Sequence, residues 1–172
     1  MHGPFESFRP RRIPLGEHPL LDAALALLNR DLTATLPDQE PLQLMGLPSD
    51  QGDEAEAVHV ALANGQWHGG SLLPDSSDGP AQALRAVTDA AQDTITECLW
   101  QAWPLCDEHD LGMHPREVEG RLSWWCAGDR RNGPAHIRAA VGELSAPVRP
   151  RRPPRKRRRK GQPPDRDRRR GR

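Results

Sequence analysis

The chain has 172 residues, of which 35% are hydrophobic, 18 are proline and 15 are glycine, so one modest domain with long irregular segments is expected. The net charge of zero conceals an asymmetry, because residues 149–172 hold 14 of the 24 basic residues and 2 of the 24 acidic ones. This segment therefore carries +12 and the remainder −12, which is typical of a charged interaction arm on an acidic body.

Several classes of protein are disfavoured by the same composition. No apolar run approaches the roughly 20 residues that a membrane span needs. The first residues lack a charged start followed by an apolar run, so no secretory signal is expected. Three cysteines are an odd number, which argues against a closed disulfide framework. A cytoplasmic location is therefore expected, since thiols stay reduced there.

The first predicted element is an amphipathic helix that follows a flexible arm over residues 1–17. Pro19 suits the first helical position, where its missing N–H costs little, and Pro37 prevents continuation. Between them, apolar residues recur at helical spacing, at Leu21, Ala24, Leu25, Leu28 and Leu32. This pattern is typical of an ordinary core helix.

A β-hairpin is predicted next. Apolar and small or polar residues alternate over residues 58–63, and Asn64-Gly65 is a strong hairpin turn signal, because both residues tolerate positive φ. Pairing about this turn sets Leu62 opposite Trp67 and places Trp67 on the buried face. The other face then carries two histidines, which we interpret as exposed rather than metal-binding: His59 and His68.

A second helix is predicted from Pro80 to about Ala102. Its apolar stripe consists of Leu84, Val87, Ala91, Ile95, Cys98 and Ala102. Cys98 is therefore expected to be a buried, inert thiol. Asp89, Asp93 and Glu97 form an acidic ladder on the opposite side, which is typical of a solvated face but would also suit a basic protein partner. Residues 18–102 are thus expected to form an α+β domain.

Residues 103–146 concentrate metal-binding and aromatic side chains, and we expect them to form a small module packed on that domain. The pattern is Cys-x2-His-x16-Cys-x9-His, and zinc favours such a set of two thiolates and two imidazoles. The predicted ligands of a structural zinc are Cys106, His109, Cys126 and His136, with His114 as an alternative fourth ligand. The last spacing is long, so residues 129–133 would have to form a loop that returns His136 to the site.

This module resembles the C-terminal half of small uncharacterised actinobacterial proteins. The matching residues are Trp-Pro-Leu-Cys-x2-His, Trp-Trp-Cys and His-Ile-Arg-Ala-Ala-Val-Gly-Glu-Leu, and they cover roughly residues 97–145. That family carries Trp-Pro-x-Cys-Pro-x-His and ends near an Ile-Gly-Glu-Leu-like run; this chain has Asp107 where the family often has proline. The resemblance implies a small soluble protein with a zinc-ribbon-like module, and it implies no activity.

The last segment, residues 147–172, is expected to be a disordered basic tail, because it has too few apolar residues to build a core. Clustered cations neutralise phosphates, so we expect non-specific contact with nucleic acid or another polyanion. The residues expected to make it are Arg151, Arg152, Arg155, Lys156, Arg157, Arg158, Arg159 and Lys160. Two alternatives stay open: the tail could dock on the acidic body, or it could reflect compositional drift.

The sequence as a whole favours the fold class α+β, with two amphipathic helices, one β-hairpin, a Cys/His module and disordered termini. The favoured function is a non-enzymatic binding or structural protein with a structural zinc and a basic arm. One alternative is a metal-dependent hydrolase, in which three ligands leave an open position and His114 or Glu108 acts on water. Another is a protein–protein adaptor. The common phosphate-loop, nucleophile-elbow and His-Glu-x-x-His motifs are missing from the sequence.

Overall fold

The computed structural model describes residues 9–48, 56–72, 79–131 and 133–146. These residues form two helices and eight strands, and the strands lie in three antiparallel sheets. The expected fold class, α+β with a single hairpin, is therefore wrong, since most elements are strands. Several of these strands are only two residues long, and such short strands leave no alternating pattern in a sequence.

Both predicted helices are present. Helix α1 spans Pro19–Thr35 and helix α2 spans Pro80–Leu99, and each begins with proline. The five apolar residues predicted for the α1 stripe are all buried. In α2 the stripe ends earlier than expected, because Trp100 takes a left-handed conformation at the C-cap and Ala102 is exposed beyond it. The two helices pack against each other.

The first sheet consists of β1 (Arg11–Arg12), β2 (Gln43–Leu47) and β3 (Ala57–Ala61), in that spatial order. Residues 11–13, which the sequence assigned to a flexible arm, instead extend this sheet. Ile13 is buried, and its N–H donates to the carbonyl of Leu44. The N-terminal part of the described chain is thus anchored to the core.

The predicted hairpin about Asn64-Gly65 is wrong. The turn itself forms, since the Leu62 N–H donates to the Gln66 carbonyl, but β3 ends at Ala61 and pairs with β2. After the turn the described chain pairs its backbone with β3 at an isolated bridge between Val58 and Leu72. Trp67 is therefore only half-buried, and its ring packs 5.3 Å from that of His59 on the face where histidines were expected.

The remaining sheets belong to the Cys/His module. A two-stranded sheet pairs β4 (Leu105–Cys106) with β5 (Leu111–Gly112). A three-stranded sheet contains β6 (His114–Val118), β7 (Arg121–Cys126) and β8 (His136–Ala140), with β7 in the centre. The inward positions of β7 carry Trp124 and Cys126, both fully buried.

Helix α2 connects the two parts of the molecule. It contacts β3 on one side and β6 and β7 on the other. The buried Thr94 hydroxyl donates to the Val60 carbonyl in β3 at 2.9 Å. The Gln92 amide donates to the carbonyls of Trp103 and Met113, at 2.8 and 2.7 Å, on either side of the β4–β5 hairpin. One continuous core therefore includes residues of both helices, the first sheet and the module.

Asp31, for which no role was predicted, links the C-terminal segment to α1. Its side chain has no exposed surface, and its Oδ2 accepts hydrogen bonds from Trp124 Nε1 and Gly142 N, both at 2.7 Å. Its Oδ1 accepts one from Leu144 N at 2.8 Å. Gly142 has φ of +89°, and a Cβ there would lie 2.7 Å from the Leu27 side chain, so only glycine fits this approach.

Candidate metal centre

The first pair of candidate ligands lies on the β4–β5 hairpin. Cys106 is the last residue of β4, and the turn over residues 107–110 brings His109 back beside it. The Asp110 N–H donates to the Cys106 carbonyl at 2.8 Å, and Asp110 takes a positive φ of 55°, which closes the turn. Cys106 is fully buried and His109 is 7% exposed. The His109 Nδ1 lies 3.6 Å from the Cys106 Sγ.

The second pair lies on the β7–β8 hairpin. Cys126 ends β7 and His136 begins β8, and the two are direct register partners. Asp129 and Gly133 exchange backbone hydrogen bonds at 2.9 Å in both directions and close the loop between the strands. The long spacing in the sequence is therefore a hairpin loop, and the expected return of His136 takes this form.

The two hairpins bring their ligand atoms together. The ligand atoms of Cys106, His109 and His136 all lie within 4.8 Å of one another, close enough to hold a metal ion. The His136 Nε2 lies 3.6 Å from the Cys106 Sγ. Cys126 does not belong to this mutually close group, but its Sγ lies 3.4 Å from the His109 Nδ1. Cys126 therefore lies at the edge of the centre, beside His109.

Further contacts orient the ligand side chains. The His136 Nδ1 lies 3.4 Å from the Pro134 carbonyl, and a proton on Nδ1 donated to that oxygen leaves the Nε2 lone pair facing Cys106. The Gly128 N–H donates to the Cys126 Sγ at 3.5 Å. Gly133 approaches the other side of His109 so closely that a Cβ would lie 3.2 Å from Nε2.

The electrostatics of Cys126 favour the neutral thiol until a cation binds. Burial raises its pKa, the Gly128 N–H lowers it, and the neighbouring Cys106 thiol raises it again. A metal ion reverses this balance, because the thiolate is the form that binds metal. Metal binding at this centre therefore releases protons and is weakened at acidic pH.

The structure separates the alternative residues from the centre. His114 pairs with Trp125, and both face outward, on the side of the sheet opposite Cys126, because side chains alternate along a strand. His114 is therefore not positioned as a fourth ligand. Glu108 is exposed, with its Oε1 3.7 Å from Arg138. Cys98, which was expected to be buried, is only half-buried in α2, and burial raises the pKa of its thiol.

Two further predictions concern surfaces. The acidic residues of α2 are exposed as expected: Asp89, Asp93 and Glu97. Arg85 lies 3.4 Å from Asp89 and forms an ion pair with it that was not predicted. The eight basic residues predicted to bind nucleic acid, between Arg151 and Lys160, lie outside the described residues.

Comparisons with known proteins add no assignment. No family model matches the chain, and no curated protein or solved structure matches it significantly. The resemblance to small actinobacterial proteins thus stays a prediction. Neither described helix is long and apolar enough to cross a membrane.

Proposed function

We propose that this protein is a non-enzymatic binding protein, in which a structural zinc ion joins the two hairpins of the module and the basic tail contacts nucleic acid or another polyanion. The observation that supports it best is the convergence of Cys106, His109 and His136 within 4.8 Å, with Cys126 beside them. Four donors drawn from two separate hairpins would be joined by one ion. A reducing compartment, as in the cytoplasm, belongs to the proposal, since the thiols must stay free.

The donor set and its distances fit zinc. Two sulfur and two imidazole donors suit zinc, whereas magnesium and calcium prefer oxygen. Zinc–sulfur and zinc–nitrogen distances of about 2.3 and 2.0 Å at tetrahedral angles place sulfur and nitrogen about 3.5 Å apart. Three of the four sulfur–nitrogen pairs lie 3.6, 3.6 and 3.4 Å apart. Cys126 stands outside the group of three whose ligand atoms are all mutually close.

A structural role fits this arrangement better than a catalytic one. A catalytic zinc keeps a position open for water, whereas Cys126, whose Sγ lies 3.4 Å from the His109 Nδ1, would close the coordination sphere as a fourth donor. Cys106 and Cys126 have no exposed surface. The two groups that a hydrolase would need near the metal are poorly placed, since His114 faces outward and Glu108 faces Arg138. The hydrolase therefore receives less support.

The polyanion part of the proposal rests on charge. Residues 149–172 carry +12 at the end of a chain whose remainder carries −12. Each phosphate contact on duplex DNA releases about 0.9 counterion, so many weak contacts add up to binding at low salt. The tail has no aromatic residue to stack on bases, so binding should not depend on sequence.

Metal analysis of the purified chain tests the zinc centre. We expect one zinc per chain, and cobalt substitution should give the visible bands of tetrahedral thiolate coordination. Cys106→Ser and His136→Ala should lose the metal, whereas the matched control Cys98→Ser should retain it, because Cys98 lies on α2 away from the cluster. Metal-free protein of undiminished stability would end the proposal.

A binding titration with duplex DNA of two unrelated sequences tests the tail. Replacing the eight basic residues between Arg151 and Lys160 by glutamine should weaken binding by orders of magnitude. Cys106→Ser is the control, because it should lose the metal but keeps the charge of the tail, so it should still bind DNA. Clear sequence preference, or binding that survives the eight replacements, would place the nucleic-acid contact elsewhere.

A further inference from the structure

The C-terminal end of α2 carries a surface that we call the Trp100 surface, defined by Glu97, Trp100, Leu105 and Asp110. Trp100 is 88% exposed and Leu105 is 47% exposed. Glu97 lies one helical turn before Trp100. Gln101, next to Trp100, lines one cavity of about 260 Å³ together with Leu105 and Asp110. Leu105 lines the cavity itself, and Trp100 precedes the lining residue Gln101. Large apolar side chains exposed to water are typical of an interaction site.

The charge of the Trp100 surface is negative. Glu97 and Asp110 are exposed, and no described cation forms an ion pair with either. Asp93 extends the same charge one turn further along α2. Arg138 lines the same cavity, and it already pairs with Asp107 at 2.9 Å. A tryptophan flanked by unpaired carboxylates favours arginine, which stacks on the ring and bonds the acids.

A basic segment of this chain begins at the same place. Ser145 lines the cavity with Gln101, and the described chain ends one residue later. Five residues can span up to about 15 Å, so Arg151 and Arg152 lie within reach of the Trp100 surface. The segment that follows alternates clusters of arginine with prolines, and both side chains pack well on an exposed indole.

We propose that residues 149–160 fold back onto the Trp100 surface of their own chain. Tethering keeps the local concentration of the segment in the millimolar range, so individually weak stacking and ion-pair contacts suffice. If the tail is the polyanion-binding element proposed above, the Trp100 surface competes with the polyanion for the same arginines. The contact then acts as an intramolecular brake on binding.

Two-dimensional ¹H–¹⁵N NMR spectra of the zinc-loaded full chain test the contact, because the five tryptophans give separate indole N–H signals. Trp100→Phe and Trp125→Phe assign two of them. Deleting residues 149–172 should move the Trp100 signal and leave the Trp125 signal in place, since the described core lies within residues 13–141. High salt should move the Trp100 signal of the full chain to the same position.

Matched substitutions identify the acids. Glu97→Gln with Asp110→Asn should move the Trp100 signal part of the way towards its position in the deletion protein. Glu119→Gln, at the far end of the β6–β7 hairpin, should leave it unchanged. The double substitution should also tighten DNA binding by about threefold to tenfold, because the arginines are released.

An unmoved Trp100 signal after deletion would overturn the proposal. So would a shift that grows with protein concentration, which would mean that the tail binds a second copy. The contact between the tail and the Trp100 surface and the proposed binding of DNA can fail independently of each other. A Trp100 signal that responds in a chain without DNA affinity would leave the intramolecular contact standing, whereas DNA binding with an unresponsive Trp100 would remove the contact alone.

Discussion

Asp31 is a carboxylate without exposed surface that accepts hydrogen bonds from Trp124, Gly142 and Leu144. Asp31→Asn exchanges one acceptor oxygen for an NH2 group that faces an N–H donor. We expect the free energy of unfolding to fall by about 1–3 kcal/mol, as for a buried hydrogen-bonding group left unpaired. Urea denaturation measures this loss. The exposed control Asp38→Asn should change stability by less than about 0.5 kcal/mol.

The pH dependence of the free energy of unfolding, compared between wild type and Asp31→Asn, distinguishes the loss of the carboxylate from a general packing defect. Burial raises the pKa of Asp31 above its ordinary value of 3.8, although the hydrogen bonds from Gly142, Trp124 and Leu144 lower it. The folded state therefore binds this proton more tightly, and the part of the stability that is linked to the proton is lost as pH rises through the raised pKa. The stability difference between wild type and Asp31→Asn should shrink as pH rises from 3.8 through that window. A difference that widens would contradict this account.

At the scale of elements, Thr94 is the side chain that ties α2 to the first sheet. Thr94→Val keeps the shape but removes the hydroxyl that donates to the Val60 carbonyl and receives the His68 N–H. We expect a loss of about 1–3 kcal/mol in the free energy of unfolding, measured by thermal or urea denaturation. Thr96→Val is the matched control on the exposed side of the same helix. Equal losses from both substitutions would show that helix propensity, not the hydrogen bond, decides the result.

The elements also show which parts of the fold a sequence can reveal. Both helices were predicted with their first residues, because their apolar stripes repeat over several turns and a proline marks each start. The strand β7 was predicted with its bounds, but the pairing of strands into sheets was not, since β1 pairs with residues more than thirty positions away and two-residue strands carry no period. The Asn64-Gly65 turn was read correctly, but the strand partner of β3 was β2, supplied by a distant segment.

The candidate site also has parts that could be predicted from the sequence and parts that could not. The proximity of Cys106 and His109 followed from their spacing, because a two-residue separation allows a tight turn. The approach of His136 depended on strand register, which spacing alone does not give. Asp31 could not be found, because a single polar residue in an apolar stripe looks like an interruption until its three donors are known.

At the scale of the molecule, one core extends from Ile13 to Val141 and contains Cys106 and Cys126. Structural zinc contributes on the order of 10 kcal/mol in small modules, which is comparable to the stability of a whole domain. If the proposed zinc occupies the centre, removing it with a chelator should therefore unfold helices and module together. The far-ultraviolet helix signal and tryptophan fluorescence should change at the same chelator concentration.

Cys98→Ser is the control for this experiment and should respond to chelator as the wild type does. A helix signal that persists after the tryptophan signal has changed would contradict a shared transition. It would mean that α1, α2 and the first sheet form a unit that is stable without the module.

The register pairing of Cys126 with His136 has a consequence for how the chain can change over time. The sheet holds these two residues opposite each other, so the number of residues at the hairpin tip is free to vary. Lengthening a loop costs only about 0.6 kcal/mol for each doubling. Insertions near Arg130 should therefore leave the donor set intact. In distant relatives of this chain, we expect the Cys106–His109 and His109–Cys126 spacings to be kept and the spacing that corresponds to Cys126–His136 to vary.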